Sequence, residues 1–92
     1  MNFEWDQRKA KGNRGKHGVS FEEAATVFGD PLGRIVEDPR HSQGEQRFAL
    51  LGHSGAGRLL TVMFTERGEV IRIISARHAT PRERKDHEES KS

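Results

Sequence analysis

Three segments in direct succession, Arg47 to Gly52, Arg58 to Thr65 and Val70 to Arg77, are rich in Val, Ile, Leu, Phe and Thr. Only the short turns Ser54-Gly55-Ala56-Gly57 and Glu66-Arg67-Gly68-Glu69 separate them. Branched and aromatic residues favour strands, and connections this short cannot carry a crossover, so neighbouring strands must run antiparallel. In the middle strand, alternation sets Leu60, Val62 and Phe64 on one face against Thr61, Met63 and Thr65 on the other. In the last, Ile71, Ile73, Ser75 and Arg77 share a face opposite Arg72, Ile74 and Ala76, so both faces are partly apolar, as in a central strand. Arg34-Ile35-Val36-Glu37 adds a short fourth strand, followed by a polar turn segment from Asp38 to Gly44 that contains Pro39 and His41.

Helices flank this sheet. Phe3-Glu4-Trp5 is a short extended piece with two aromatics on one side, and Asp6 caps a helix from about Gln7 to Lys16 that Gly18 ends. Gly12 and Gly15 each cost that helix ~1 kcal/mol relative to Ala. Its face of Ala10, Asn13 and His17 must therefore find support from the rest of the fold. Ser20-Phe21-Glu22-Glu23 reads as a capping box, with Glu23 reaching back and Val19 stapled against Ala24. The helix it starts runs to Phe28, with Phe21, Ala24, Ala25 and Phe28 as its apolar stripe. Thr80-Pro81-Arg82-Glu83 begins a last helix, polar almost all round, that frays by Ser90. The expected class is α+β, one domain over residues 1–92: a small antiparallel sheet packed with two N-terminal helices and a C-terminal helix.

Charge placement narrows the chemistry. The chain of 92 residues holds 16 Lys+Arg against 14 Asp+Glu, but its first 17 residues carry five cations and two acids, and the seven cations of residues 18–78 are all arginine. Arginine grips phosphate or carboxylate with a planar fork and tolerates partial burial, whereas lysine usually fills solvated faces. No apolar run approaches a membrane span, and no signal peptide opens the sequence, so a soluble, unexported protein is expected. The absence of cysteine excludes disulfides, thiol nucleophiles and Cys-built zinc sites.

Three constellations compete for function, each with a plainer reading beside it. Arg72, Ser75, Arg77 and His78 run into a helix N-terminus, where guanidinium groups and amide donors suit a phosphate. Equally, Arg77 can be a structural tie to Glu22, Glu23 or a loop carbonyl. Asn13, Lys16 and His17 end the first helix; His17 is a candidate acid or base there, or simply a cation favoured by the dipole. Arg47 and His53 share a strand face, where they could approach a ribose phosphate together with Arg72, or merely form a polar outer surface. No cofactor is expected. Nor is a metal site, because His41, His53, His78 and His87 show no i, i+4 pair and no carboxylate at matching spacing.

Several stretches carry a resemblance. Phe3-Glu4-Trp5-Asp6, Lys16-His17-Gly18-Val19-Ser20-Phe21-Glu22-Glu23-Ala24, Thr26-Val27-Phe28-Gly29-Asp30-Pro31-Leu32 and Ile71-Arg72-Ile73-Ile74-Ser75-Ala76-Arg77, with Ala79-Thr80 and Glu83-Arg84, resemble the BrnT toxins of bacterial type II toxin-antitoxin systems. His78 stands where that family usually has lysine, and His87 where tyrosine is common. The resemblance implies a RelE-like fold, a small antiparallel sheet with helices on one side. It implies a cytoplasmic endoribonuclease that inhibits translation and growth. It also implies a BrnA-like ribbon-helix-helix antitoxin that neutralises the toxin in a hetero-oligomer and binds operator DNA. On the residues, Arg47, Arg72 and Arg77 are the candidates to hold a scissile phosphate, His17 or His53 to move protons, and Lys16, Ser75 and His78 to bind RNA. The competing expectation is a module that binds protein or nucleic acid without catalysis, or an inactive toxin relic.

Overall fold

Asn2–Glu4 (β1) opens the chain and finds its sheet partner near the other end of the sequence. Helices Gln7–His17 (α1) and Phe21–Thr26 (α2) follow, α2 running into a 3₁₀ turn, Val27–Gly29. Strands Arg34–Glu37 (β2), Arg47–His53 (β3), Leu59–Arg67 (β4) and Val70–His78 (β5) come next, and helix Pro81–Ser90 (α3) closes the fold. The computed structural model describes residues 1–37 and 44–90. Most of the expected turn from Asp38 to Gly44 thus lies outside the described residues. The five strands form one sheet in the order β1-β5-β4-β3-β2. The four later strands are antiparallel, as the short turns require, but β1 joins β5 in parallel, with Phe3 opposite Ile71. The sheet is therefore mixed. Parallel pairing becomes possible because everything between β1 and β5 serves as the crossover.

Local chemistry explains the helix ends. The Asp6 carboxylate accepts the Arg8 and Lys9 amides at 2.8 and 3.1 Å, and those bonds lower its pKa. Gly18 takes the left-handed conformation that ends α1, at φ 68°. Ser20 caps α2 by accepting the Glu23 amide at 3.0 Å. The return half of that capping box is absent, because the Glu23 carboxylate is engaged by Arg58 and by the Ser54 hydroxyl. The second box forms in both directions: Glu83 donates its amide to Thr80 at 3.1 Å, and its carboxylate accepts the Thr80 amide at 2.8 Å.

The core lies between α2 and one sheet face. Val19, Phe21, Ala24 and Val27 pack with Leu50, Leu60, Val62, Phe64, Ile73 and Ala76. Full burial of side chains such as Phe21 and Phe64 stabilises by ~1.5–3 kcal/mol each. The aromatics at the N-terminus act as read from the sequence: Phe3 meets Phe28 edge-on at 5.2 Å, and Trp5 meets Phe21 at 6.0 Å. Helix α1 is fastened by Asn13. Its amide donates to the carbonyls of Val19 and Ala76 at 3.0 and 2.8 Å, and its oxygen accepts the Ala76 amide at 3.0 Å. Because β1 ends opposite Arg72, the β5 edge at Ala76 lacks a neighbouring strand there, and the Asn13 side chain takes that strand's place.

Two features depart from expectation. In β5, Met63 faces Ser75 but Phe64 faces Ile73, so Ile74 is an extra residue, a β-bulge. Simple alternation therefore fails: Ile73 and Ala76 both face the core, while Arg72, Ser75 and Arg77 share the opposite face rather than being split across two. The second departure concerns α3. Glu83 bonds Thr61, whose neighbour Val62 belongs to the core, so α3 lies across the face opposite α2 instead of beside it.

Candidate nucleic-acid interface

On the sheet face away from the core, Thr65 of β4 pairs with Arg47 of β3 on one side and with Arg72 of β5 on the other. Because partners in register share a face, the two arginines stand one strand apart on either side of Thr65. Lys9 from the first turn of α1, Glu45, Arg67 and Ile74 complete a cleft of about 180 Å³. Glu4 holds Arg72, and Glu45 holds Arg67 through bonds of 2.7 and 3.1 Å. Arg67 is the main reason the Glu45 carboxyl is pushed down from its ordinary value. Four cations thus line one half-open cleft, two of them, Arg67 and Arg72, oriented by carboxylates. Such a surface suits a phosphodiester, whose non-bridging oxygens accept charge-assisted hydrogen bonds from planar guanidinium groups.

The other candidates lie elsewhere. Arg77 is committed to α3: its guanidinium holds both Glu83 oxygens, at 2.7 and 3.2 Å. Burial raises the Glu83 carboxyl, but Arg77, the Thr80 amide and the Thr61 hydroxyl outweigh it and hold the pKa at about 2. The anion seated between Arg77 and the α3 N-terminus is therefore the chain's own carboxylate. The tie is of the structural kind allowed for Arg77, with a partner other than Glu22 or Glu23. His78 is exposed at the sheet end, 3.4 Å from the Arg58 guanidinium. Arg58 itself clamps Glu23, whose pKa it brings down to about 2, and also holds the Gly18 carbonyl at 3.1 Å. His17 is half-buried and Lys16 exposed at the far end of α1, eight residues or ~12 Å along the axis from Lys9 in the case of His17. Ser75 sits opposite Met63. His53 shares the face of Arg47 but stands six residues along β3, ~20 Å away. Among the sequence candidates, the fold thus gathers Arg47 and Arg72 and leaves the histidines outside their cleft. Lys9, Glu45 and Arg67, which complete it, are not among the candidates the sequence singles out.

A second cluster was not foreseen. The His53 amide donates to Asp30 at 2.7 Å, and its Nδ1 lies 3.8 Å from the same carboxylate oxygen. The His53 ring lies 5.5 Å from that of His87, which is only 1% exposed. One donor atom from each of the three residues falls within 4.8 Å of the others. The missing i, i+4 spacing had argued against a metal site, but the fold assembles these donors from three separate elements.

The sheet, its three helices and the arginine-lined face define a small α+β domain with a cationic cleft. The chain matches the family model described as "Ribonuclease toxin, BrnT, of type II toxin-antitoxin system" over residues 5–83, and it belongs to that family. The crystal structure of the Brucella abortus ribonuclease toxin, BrnT, matches with a TM-score of 0.68 at 23% identity, covering 87% of this chain and 97% of that one. At this identity the likeness speaks for the fold, including its mixed sheet. No curated protein sequence gives a significant match. Among the described residues, no helix is long and apolar enough to cross a membrane.

Proposed function

We propose that this toxin cleaves RNA in the cleft of Lys9, Arg47 and Arg72, without a metal ion in the chemical step, and thereby inhibits translation and growth in the cytoplasm. The observation that carries the reading is the placement of Arg47 and Arg72 on either side of Thr65, facing a half-open cleft. Arg47, Arg72 and Lys9 hold the scissile phosphate and offset the charge that builds on it in the transition state. A ribose 2′-hydroxyl attacks the adjacent phosphorus, gives its proton to a base and expels the 5′-oxygen, which takes up a proton in turn. Glu45 is the carboxylate beside these cations and is the proposed base; phosphate binding would draw Arg67 away from it. Arg77 contributes by holding α3, and His17 and His53 stand too far away for direct proton transfer at this phosphate. The partner is a BrnA-like ribbon-helix-helix antitoxin that silences the cleft and carries the complex to operator DNA.

Controlled expression with and without the antitoxin, scoring growth and total RNA, tests the reading. The expected result is arrest with RNA fragmentation, relieved by the antitoxin. Arg72→Ala and Arg47→Ala should each lower cleavage by ~10²–10³-fold, and Glu45→Gln by ~10²-fold or more. Full cleavage in all three variants would overturn the assignment. One observation favours a binding module instead: paired with Arg67, Glu45 is a weak base. RNA bound by the purified wild-type protein and released uncut would select that alternative.

A further inference from the structure

Asp30, His53 and His87 lie outside the RNA cleft and have no part in the chemistry proposed for it. We propose that these three side chains bind a zinc ion, which fastens the last turns of α3 to β3 and to the turn that follows α2. Two imidazoles and one carboxylate form a mixed nitrogen and oxygen set, which suits zinc; magnesium and calcium favour oxygen alone. Tetrahedral zinc, with bonds of ~2.0–2.2 Å, needs donors ~3.3–3.5 Å apart. The present donors lie within 4.8 Å of one another, and the His53 and Asp30 atoms are 3.8 Å apart. The half-exposed His53 ring can turn to shorten the distances in which it takes part.

The surroundings fit such an ion. The Asp30 carboxylate is oriented by the amides of His53 and Leu32, at 2.7 and 2.9 Å, as metal-binding carboxylates commonly are. Those two bonds, the His53 amide foremost, also lower its pKa, so it stands ready as an anion. His87 is buried and fixed by packing, so part of the ordering cost is met before the ion arrives. A fourth position opens toward the shallow cleft lined by Thr26, Gly29, Ser54 and Gly55, where water can complete the tetrahedron. The mechanical consequence falls on α3. His87 is the buried residue of this otherwise polar helix, whose first turn is already held by Glu83. Zinc would fix the far turn as the Arg77–Glu83 pair fixes the near one.

The test uses the full chain, stripped with a chelator and titrated with zinc chloride by calorimetry and thermal melting. Cobalt(II) absorption reports coordination geometry. Binding of one ion per chain is expected, with a melting point raised by ~10 °C at 100-fold excess over Kd, and a tetrahedral cobalt spectrum. His87→Phe, which keeps a ring at the buried position, and His53→Gln should each weaken binding by more than ~100-fold, beyond the ~10–100-fold typical of outer partners. Should His87→Phe fail to fold, His53→Gln and Asp30→Asn carry the same comparison. Absence of binding at about 1 mM zinc, or wild-type affinity in His53→Gln, would overturn the proposal. RNA cleavage is not read, so failure here leaves the ribonuclease assignment untouched, and the reverse also holds.

Discussion

Replacing Asn13 by Ala is the sharpest test of how this fold is held. Asn13 is 8% exposed and makes three hydrogen bonds to backbone, two of them to Ala76 across most of the sequence. Each such bond contributes ~1 kcal/mol net, and a buried backbone group left without a partner costs a further ~1–3 kcal/mol. Ala76 is fully buried, so water cannot readily replace the amide side chain at its N–H and C=O. The expected loss is about 4 kcal/mol, a large share of the ~5–14 kcal/mol available to a domain of this size. Urea denaturation should show the midpoint falling by about 2 M or more at a slope of ~1–2 kcal/mol/M, and the melting point should fall by ~15 °C or more. Asn13→Asp should do no better, since it keeps the acceptor but turns an oxygen toward the Val19 and Ala76 carbonyls. A loss below ~1 kcal/mol in Asn13→Ala would refute the reasoning and show that the β5 edge finds another partner.

Acid should unfold the protein in a defined window. Glu23 and Glu83 have folded pKa values of about 2 against an ordinary 4.5, so their stabilisation is complete above pH 4.5 and is lost as pH falls toward 2. The shifts correspond to ~3 kcal/mol each at most, reduced to ~1–2 kcal/mol by the solvent reaching their arginine partners. Melting followed from pH 5 to 2 should fall steeply in the wild type and much less in a Glu23→Gln/Glu83→Gln double variant. Two glycines should respond with opposite sign in denaturant titrations. Gly12→Ala meets nothing within 4 Å and should stabilise α1 by ~0.5–1 kcal/mol. Gly52→Ala places a methyl 3.1 Å from both Asp30 and Val27 and should destabilise by ~1–3 kcal/mol.

Most of the secondary structure was legible because its signals are local: Asp6, Ser20 and Thr80 cap where they should, and Leu60, Val62 and Phe64 alternate into the core. Long-range choices were not. Nothing near Phe3 announces that β1 will pair in parallel with Val70 to Arg72. Glu23 carries a capping-box spacing, yet a better-charged partner, Arg58, claims it from across the fold. The proposed cleft was half legible. Arginine in place of lysine on strands did mark Arg47 and Arg72, but Lys9 and Glu45 join them only through tertiary placement. Spacing rules could not bring Asp30, His53 and His87 together, because each comes from a different element.

The extra residue at Ile74 gives β5 slack in length at one place. A strand reads out its side chains in strict two-step phase, and the bulge is where β5 changes phase, so that Ile73 and Ala76 can both serve the interior while Arg72 and Arg77 both serve the exterior. Removing Ile74 would flatten the bulge and leave Ile73 opposite Phe64 and Ser75 opposite Met63, so the interior and exterior sets would survive the loss. Deletion of Ile74 should therefore be tolerated better than deletion of Val62 from β4, which has no spare residue and would have one half turned over. A relative with β5 one residue shorter at this point could keep the same arginine face with no compensating change.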